Sequence, residues 1–347
     1  MRFIRIFIPL MLFPCVILAQ SFSTAKYAGE FLGLGVGGRS LGMGSASVSI
    51  ARDVTSGYWN PAGLAYLNYP EFMLMHSSQF SGVINYDYGS FGLPVGQRRS
   101  LGLSIFRVGV DDIKKTALRN PDVGLGDTYV DENGQTVRNT PFVENLFAST
   151  DYAFFLTYAK WVSAAFSYGG NVKLIYRSLG DNSAWGVGFD VGFMFNPVSK
   201  LIVGINLQDV TSTMLAWDTG RKELITPSVR TGLSYPITLS VMGGHIQPAV
   251  DFVIRFENRR EAAQAHIGNT SIDINLGWEY QYRDVFALRV GSTEVGRFTA
   301  GAGLHFPKLH LDYAFLSHES LGNTHRISAR LTLKEPKFKR GVGQTKE

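Results

Sequence analysis

Over the last third of the chain, apolar and polar residues swap places one by one for stretch after stretch, with almost no long helical face between them. Ile272, Ile274, Leu276, Trp278, Tyr280 and Tyr282 fall on one side, and Asp273, Asn275, Gly277, Glu279 and Gln281 on the other. The pattern returns as Leu309, Leu311, Tyr313 and Phe315 against His310, Asp312 and Ala314. It returns again as Ile327, Ala329, Leu331 and Leu333 against Arg326, Ser328, Arg330 and Thr332. A period of two sends neighbouring side chains to opposite faces of a sheet, and a greasy face backed by a wet one is the pattern of a strand in a membrane barrel. A one-residue slip in the last stretch would turn Arg326 and Arg330 toward lipid, at roughly 2 to 4 kcal/mol each near the midplane.

Alternation and turn residues together mark about fourteen strands, from 71–80 to 324–334, each near or above the ~9 to 11 residues that cross a bilayer at a tilt. The expected fold is therefore all-β, a transmembrane antiparallel β-barrel of even strand number. Connections should be long after odd strands and tight after even ones. Long ones fall at 111–149, where Asp131-Glu132-Asn133-Gly134 predicts a hairpin tip, and at 212–225, 258–265 and 319–323. Short ones fall at 162–163, 198–199, 283–284 and around Pro307; 236–244 is too long for the scheme, and 81–82 and 295–296 are too short. Trp161, Phe195, Tyr235, Tyr282 and Phe306 sit near the ends of even strands and predict one interfacial girdle. Pro248 on an outward face and the glycines of strand 12 fit less well.

Ahead of the strands, Arg2 and Arg5 precede an apolar run from Ile6 to Leu18, which predicts a signal peptide over 1–20 cut near Ala19 or Gln20. Cys15 lies inside that run behind Phe13 and Pro14, not the small residues a lipoprotein signal prefers. It is the single cysteine, so disulfides and thiolate chemistry are excluded from the mature chain. No other stretch reaches the ~18 apolar residues of a spanning helix. Removing Arg2 and Arg5 takes Lys+Arg from 33 to 31 against 28 acids, so the net charge falls from +5 to +3, too little to imply nucleic acid. The basic residues of the end, Lys334, Lys337, Lys339, Arg340 and Lys346, read as a solvated end, with a polar basic tail over 336–347. A mean hydropathy near zero, +0.03, is ordinary where half of each strand faces lipid and half a polar lumen.

Residues 33–67 alternate poorly and are crowded with small residues, too polar for a lipid-facing strand. A short helix over 45–51 and a turn forced at Asn60-Pro61 suit a segment, 21–68, that folds back into the 69–335 barrel as a plug. Four stretches stand out, Gly38-Arg39-Ser40-Leu41-Gly42-Met43-Gly44, Tyr58-Trp59-Asn60-Pro61-Ala62-Gly63-Leu64, Leu311-Asp312-Tyr313-Ala314 and Leu321-Gly322-Asn323-Thr324-His325-Arg326-Ile327-Ser328. On these residues the chain resembles the PorV/PorQ family of outer-membrane proteins, itself similar to the FadL group. The resemblance implies a fourteen-stranded barrel with an N-terminal hatch in its lumen. In FadL-like proteins the hatch moves to let an apolar ligand pass, which puts Gly38, Arg39, Gly42, Gly44, Asn60, Pro61 and Ala62 at the gate. It also implies a second role, since PorV serves type IX secretion and receives secreted proteins. The chain departs from the family pattern in the tail that follows its last strand.

Inward positions collect charges of both signs, among them Lys173, Arg177, Asp190, Asp251, Arg255, Asp273, Glu279, Arg289, Asp312, Arg326 and Arg330. Mixed signs predict internal pairing that knits the wall to the plug, because charges away from bulk water need partners. Other chemistry finds no support. Gly33, Gly35 and Gly38 with Asp53 satisfy a dinucleotide spacing without the strand before or the βαβ unit after. His318, Glu319 and His325 flank one loop but lack a further zinc ligand, and His310 with Asp312 has no nucleophile elbow beside it. The expectation is a non-enzymatic, porin-like outer-membrane barrel without a cofactor, contacting lipid and binding or conducting a hydrophobic small molecule. The alternative is a secretion accessory whose loops bind cargo or translocon subunits.

Overall fold

The computed structural model describes residues 28–294, 297–317 and 322–341. The signal peptide lies outside them, as do residues 21–27 of the plug segment, Val295-Gly296, His318 and Glu319. The wall is a closed antiparallel barrel of fourteen strands. They are β1 Glu71–Gln79, β2 Ile84–Val95, β3 Arg99–Leu118, β4 Pro141–Ser163, β5 Phe166–Leu179, β6 Asn182–Phe195, and β7 Ile202–Gln208 continued by Thr213–Trp217. Next comes β8, built of Lys222–Ile225, Ser228–Ser234 and Ile237–Leu239. The last six are β9 Gly244–Arg255, β10 Thr270–Tyr282, β11 Phe286–Ser292, β12 Phe298–His305, β13 Leu309–Leu316 and β14 Thr324–Thr332. Closure is direct, because β1 pairs with β2 on one side and with β14 on the other, from Glu71 opposite Thr332 to Ser78 opposite His325. A closed sheet has no free edge and satisfies its backbone internally, as a lipid environment demands.

The register agrees with the alternation. In β14, Ile327 and Leu331 point out and are exposed while Arg326 and Ser328 point in and are buried. Trp161, Tyr235, Tyr282 and Phe306 are outward at one end of the barrel, which we call the turn end; the opposite end is the loop end. Pro248 sits where the ladder to β8 is interrupted between Ser234 and Ile237, so its missing N–H breaks little.

Two expected long loops are strands instead. The 111–149 connection continues β3 and β4 as an arm beyond the wall, paired from Ile113 opposite Phe147 to Leu118 opposite Pro141, with register shifts after Val110 and Lys115. A small hairpin, Thr128–Val130 against Thr136–Arg138, caps it, and the Asp131 carboxylate accepts the amides of Asn133 and Gln135 at the predicted tip. The 212–225 connection shrinks to a turn at 218–221. Ser212, where the expected loop began, and Asp209 ahead of it form a left-handed kink within β7, with φ of 57° and 53°. At the turn end, 236–244 also tightens, since 237–239 still pairs with β9.

Candidate functional site

Residues 28–67 lie inside the ring of inward side chains and contribute no strand to the wall. They enter at the loop end, where the Ala28 carbonyl accepts from Arg177 at 3.1 Å, and leave at the turn end, where Pro61–Tyr66 forms a 3-10 turn. Between these come α1, Gly38–Gly42, and α2, Ser56–Trp59. Such short helices are weak alone. The wall holds them.

Polar side chains from strands all round the barrel take up the segment's backbone groups. Asp251 accepts the amides of Ser47 and Val48 at 2.6 and 2.8 Å, and Ser328 accepts that of Gly38 at 3.0 Å. Asn171 and Asn206 donate to the carbonyls of Gly57 and Trp59 at 2.7 and 2.9 Å. Asn60, fully buried, donates to the carbonyls of Val48 and Phe193 and accepts the Ala62 amide, which caps the turn that Pro61 opens. Ala62 packs against Met194 and Ile202.

Charges lock the other half. Arg39 grips Glu279 with two bonds, of 2.9 and 2.7 Å. Glu279 also accepts from Arg289 at 2.6 Å, and Arg289 reaches Asp312 at 2.7 Å. Arg330 holds Asp53 at 2.9 Å and meets His310 at 2.9 Å. Burial works against both Arg39 and Asp53 as ions. Glu279 nevertheless holds the Arg39 pKa above its ordinary value, and Arg330 with the Thr55 hydroxyl and amide holds the Asp53 carboxyl below its own. Within the wall, Lys173 is buried between Asp190 and Asp209, at 2.9 and 2.8 Å, and Arg255 pairs with Asp273 and Glu294 at 2.6 and 2.7 Å. His310 and Asp312 thus belong to arginine networks, and His325 meets the Tyr313 hydroxyl at 2.8 Å. No group of metal-ligating side chains gathers among the described residues.

Two features escape the reading of inward positions as polar. One is a floor of wall glycines. A Cβ built on Gly204, Gly277 or Gly291 would lie 2.3 Å from the Val48 carbonyl, the Met43 carbonyl or the Gly44 amide, so the segment's backbone rests directly on the sheet. Gly44, at φ +61°, turns there, its own Cβ position 2.3 Å from the Leu276 carbonyl; Gly42 abuts Gly301. Of the glycines of strand 12 that fitted poorly, Gly301 belongs to this floor, whereas Gly303 makes room for the Arg289 and Asp312 side chains. The other is an aromatic cluster: Phe31, Tyr58 and Trp59 of the segment pack with Tyr86, Phe106 and Phe155 of β2, β3 and β4, with Phe106 5.6 Å from Tyr86 and 6.1 Å from Phe155. Inward aromatics recurring in three adjacent strands were the available signal.

The tail is not simply solvated. Arg340 donates to the carbonyls of Ala65 and Leu67 at 3.0 and 2.7 Å and to the Ser100 hydroxyl at 2.7 Å, bracing the segment's exit against the β2–β3 turn. At the loop end, two chambers of about 380 Å³ each share Glu30 and Gly33 in their walls.

No family model matches the sequence, and no curated protein does. Solved structures do. The Ralstonia pickettii toluene transporter TbuX is 13% identical over 86% of this chain and 97% of its own, with a TM-score of 0.56. The monoaromatic hydrocarbon channel CymD is 15% identical over 87% and 98%, at 0.57. A Pseudomonas aeruginosa FadL homologue is 12% identical over 84% and 97%, at 0.53. At such identities the likeness is one of fold, and the fold is FadL-like.

Proposed function

We propose that this chain is a bacterial outer-membrane barrel that binds or conducts a hydrophobic small molecule, with the 21–68 segment as its gate. The observation that carries the reading is a lumen filled by a segment that adds no strand to the wall, so it can shift without opening the sheet. Gly38, Gly42 and Gly44 let it lie close against the floor, Arg39 and Asp53 are its polar latches, and Asn60, Pro61 and Ala62 set the bend at its exit. The aromatic cluster under it would offer an apolar ligand a surface once the segment moves. Two of the structural neighbours, a toluene transporter and a monoaromatic hydrocarbon channel, support the same ligand class.

Deleting residues 33–60 should leave a heat-modifiable, assembled barrel whose permeability in proteoliposomes rises severalfold, because the wall pairs without them. An assembled deletion mutant with unchanged permeability would falsify the gate.

A second reading, a secretion accessory of the PorV kind, draws on the arm. Among the described residues its β3 and β4 extensions pair only with each other, leaving their outer edges without a strand, and Phe142, Val143 and Leu146 are exposed on it; edges of this sort accept a further strand. Pull-down from native membranes separates the two, since loss of co-purified protein on removing 113–147 supports the second alone.

A further inference from the structure

Nearly every inward arginine described above meets a carboxylate. Arg230 on β8 and Arg326 on β14 do not. Arg230 is 6% exposed and Arg326 1%, and among the described residues neither forms an ion pair or a hydrogen bond to an acid. Arg230 Nε and Arg326 Nε and Nη1 have no hydrogen-bond partner at all. Arg326 gives one bond to the Leu34 carbonyl, at 3.0 Å, and lies 5.4 Å over the Tyr86 ring; Arg230 lies 5.6 Å over Trp59. Both line the same chamber of about 380 Å³.

Buried guanidinium groups without a salt bridge are unfavourable, Asp251 and Glu294 acting on Arg230 only from beyond contact, and planar donors left unmade point to an acceptor that fits them. The charge balance agrees. Arg230, Arg259, Arg297 and Arg326 border this chamber against Glu30 and Glu294, and those two acids already bind Arg259 and Arg255. The remaining wall mixes amides and hydroxyls, Asn275, Thr293 and Thr324 among them, with Leu34, Leu41 and Leu316, so it is the two arginines that select an anion, and a volume of about 380 Å³ that suits a compact one. We propose that the chamber between Arg230 and Arg326 binds a compact oxyanion, the phosphate or carboxylate group of a small soluble molecule. Through Arg326 and the Leu34 carbonyl, the bound anion would also tie the N-terminal segment to β14. This site is independent of the hydrophobic-ligand reading.

Calorimetric titration of the full chain in detergent and chloride-poor buffer, with inorganic phosphate and separately with succinate, tests it. The expected result is saturable binding of at least one of them, weakened tenfold or more in Arg230→Gln and in Arg326→Gln. Arg283→Gln, altered at the turn end, should bind as the wild type does. Binding of phosphate alone assigns a phosphate group, and binding of succinate alone a carboxylate. No saturable binding of either ligand at about 10 mM, or undiminished affinity in Arg230→Gln, overturns the proposal. Should a glutamine variant fail to assemble, melting of the wild type gives the answer: a melting temperature that rises with ligand as binding linkage requires supports the site, and one that does not move refutes it.

Discussion

At the scale of single residues, period-two alternation made the inward charges legible but not their partners. Arg39 and Glu279 are 240 positions apart, and nothing local in the sequence pairs them. The glycines were legible only as composition, because their role is to lack a side chain where another backbone lies. Gly291→Val should therefore evict the segment while the wall still assembles. The readout is protease cleavage within 28–67, fast in the variant and slow in the parent. Asp53 gives a pH test. A carboxyl held below its ordinary value near 3.8 by Arg330 stabilises the docked segment above that value, and the stabilisation is lost as pH falls through the depressed one. Permeability of the parent should rise on acidification below pH of about 4, and Asp53→Asn should be open to a similar degree at all pH values.

At the scale of elements, existence and facing of strands came through where alternation was long, and boundaries failed where a kink imitated a loop. Asp209 and Ser212 carry turn chemistry, yet the Thr213 hydroxyl and the Lys173 ammonium hold Asp209 inside β7. The arm was missed for a different reason: a two-stranded extension in water has no lipid face, so nothing enforces a period of two. The end of the chain was misjudged through composition, since a cluster of cations resembles a solvated tail until one of them finds carbonyls to bind. Arg340→Ala should remove the brace at the segment's exit. Amide exchange over 61–67 should quicken by about 1 to 3 kcal/mol of lost protection, with barrel melting little changed.

At the scale of the molecule, the wall and its filling obey different rules. Sheet closure fixes the wall through continuous backbone bonding, whereas the filling is held by side chains reaching inward, with a polar and charged half and an aromatic half. That division means that a substitution among the filling's contacts leaves the backbone ladder of a FadL-like wall intact. The path of residues 28–67 has a further consequence for insertion. A stretch of chain that runs the whole bore leaves the first and last described parts of the molecule at opposite ends of the barrel, Ala28 beside Arg177 at the loop end and Arg340 at the turn end. An epitope placed just ahead of Ala28 should be reached by antibody on intact cells, and one placed after Gly341 only after permeabilisation; the reverse labelling would show the bore threaded the other way.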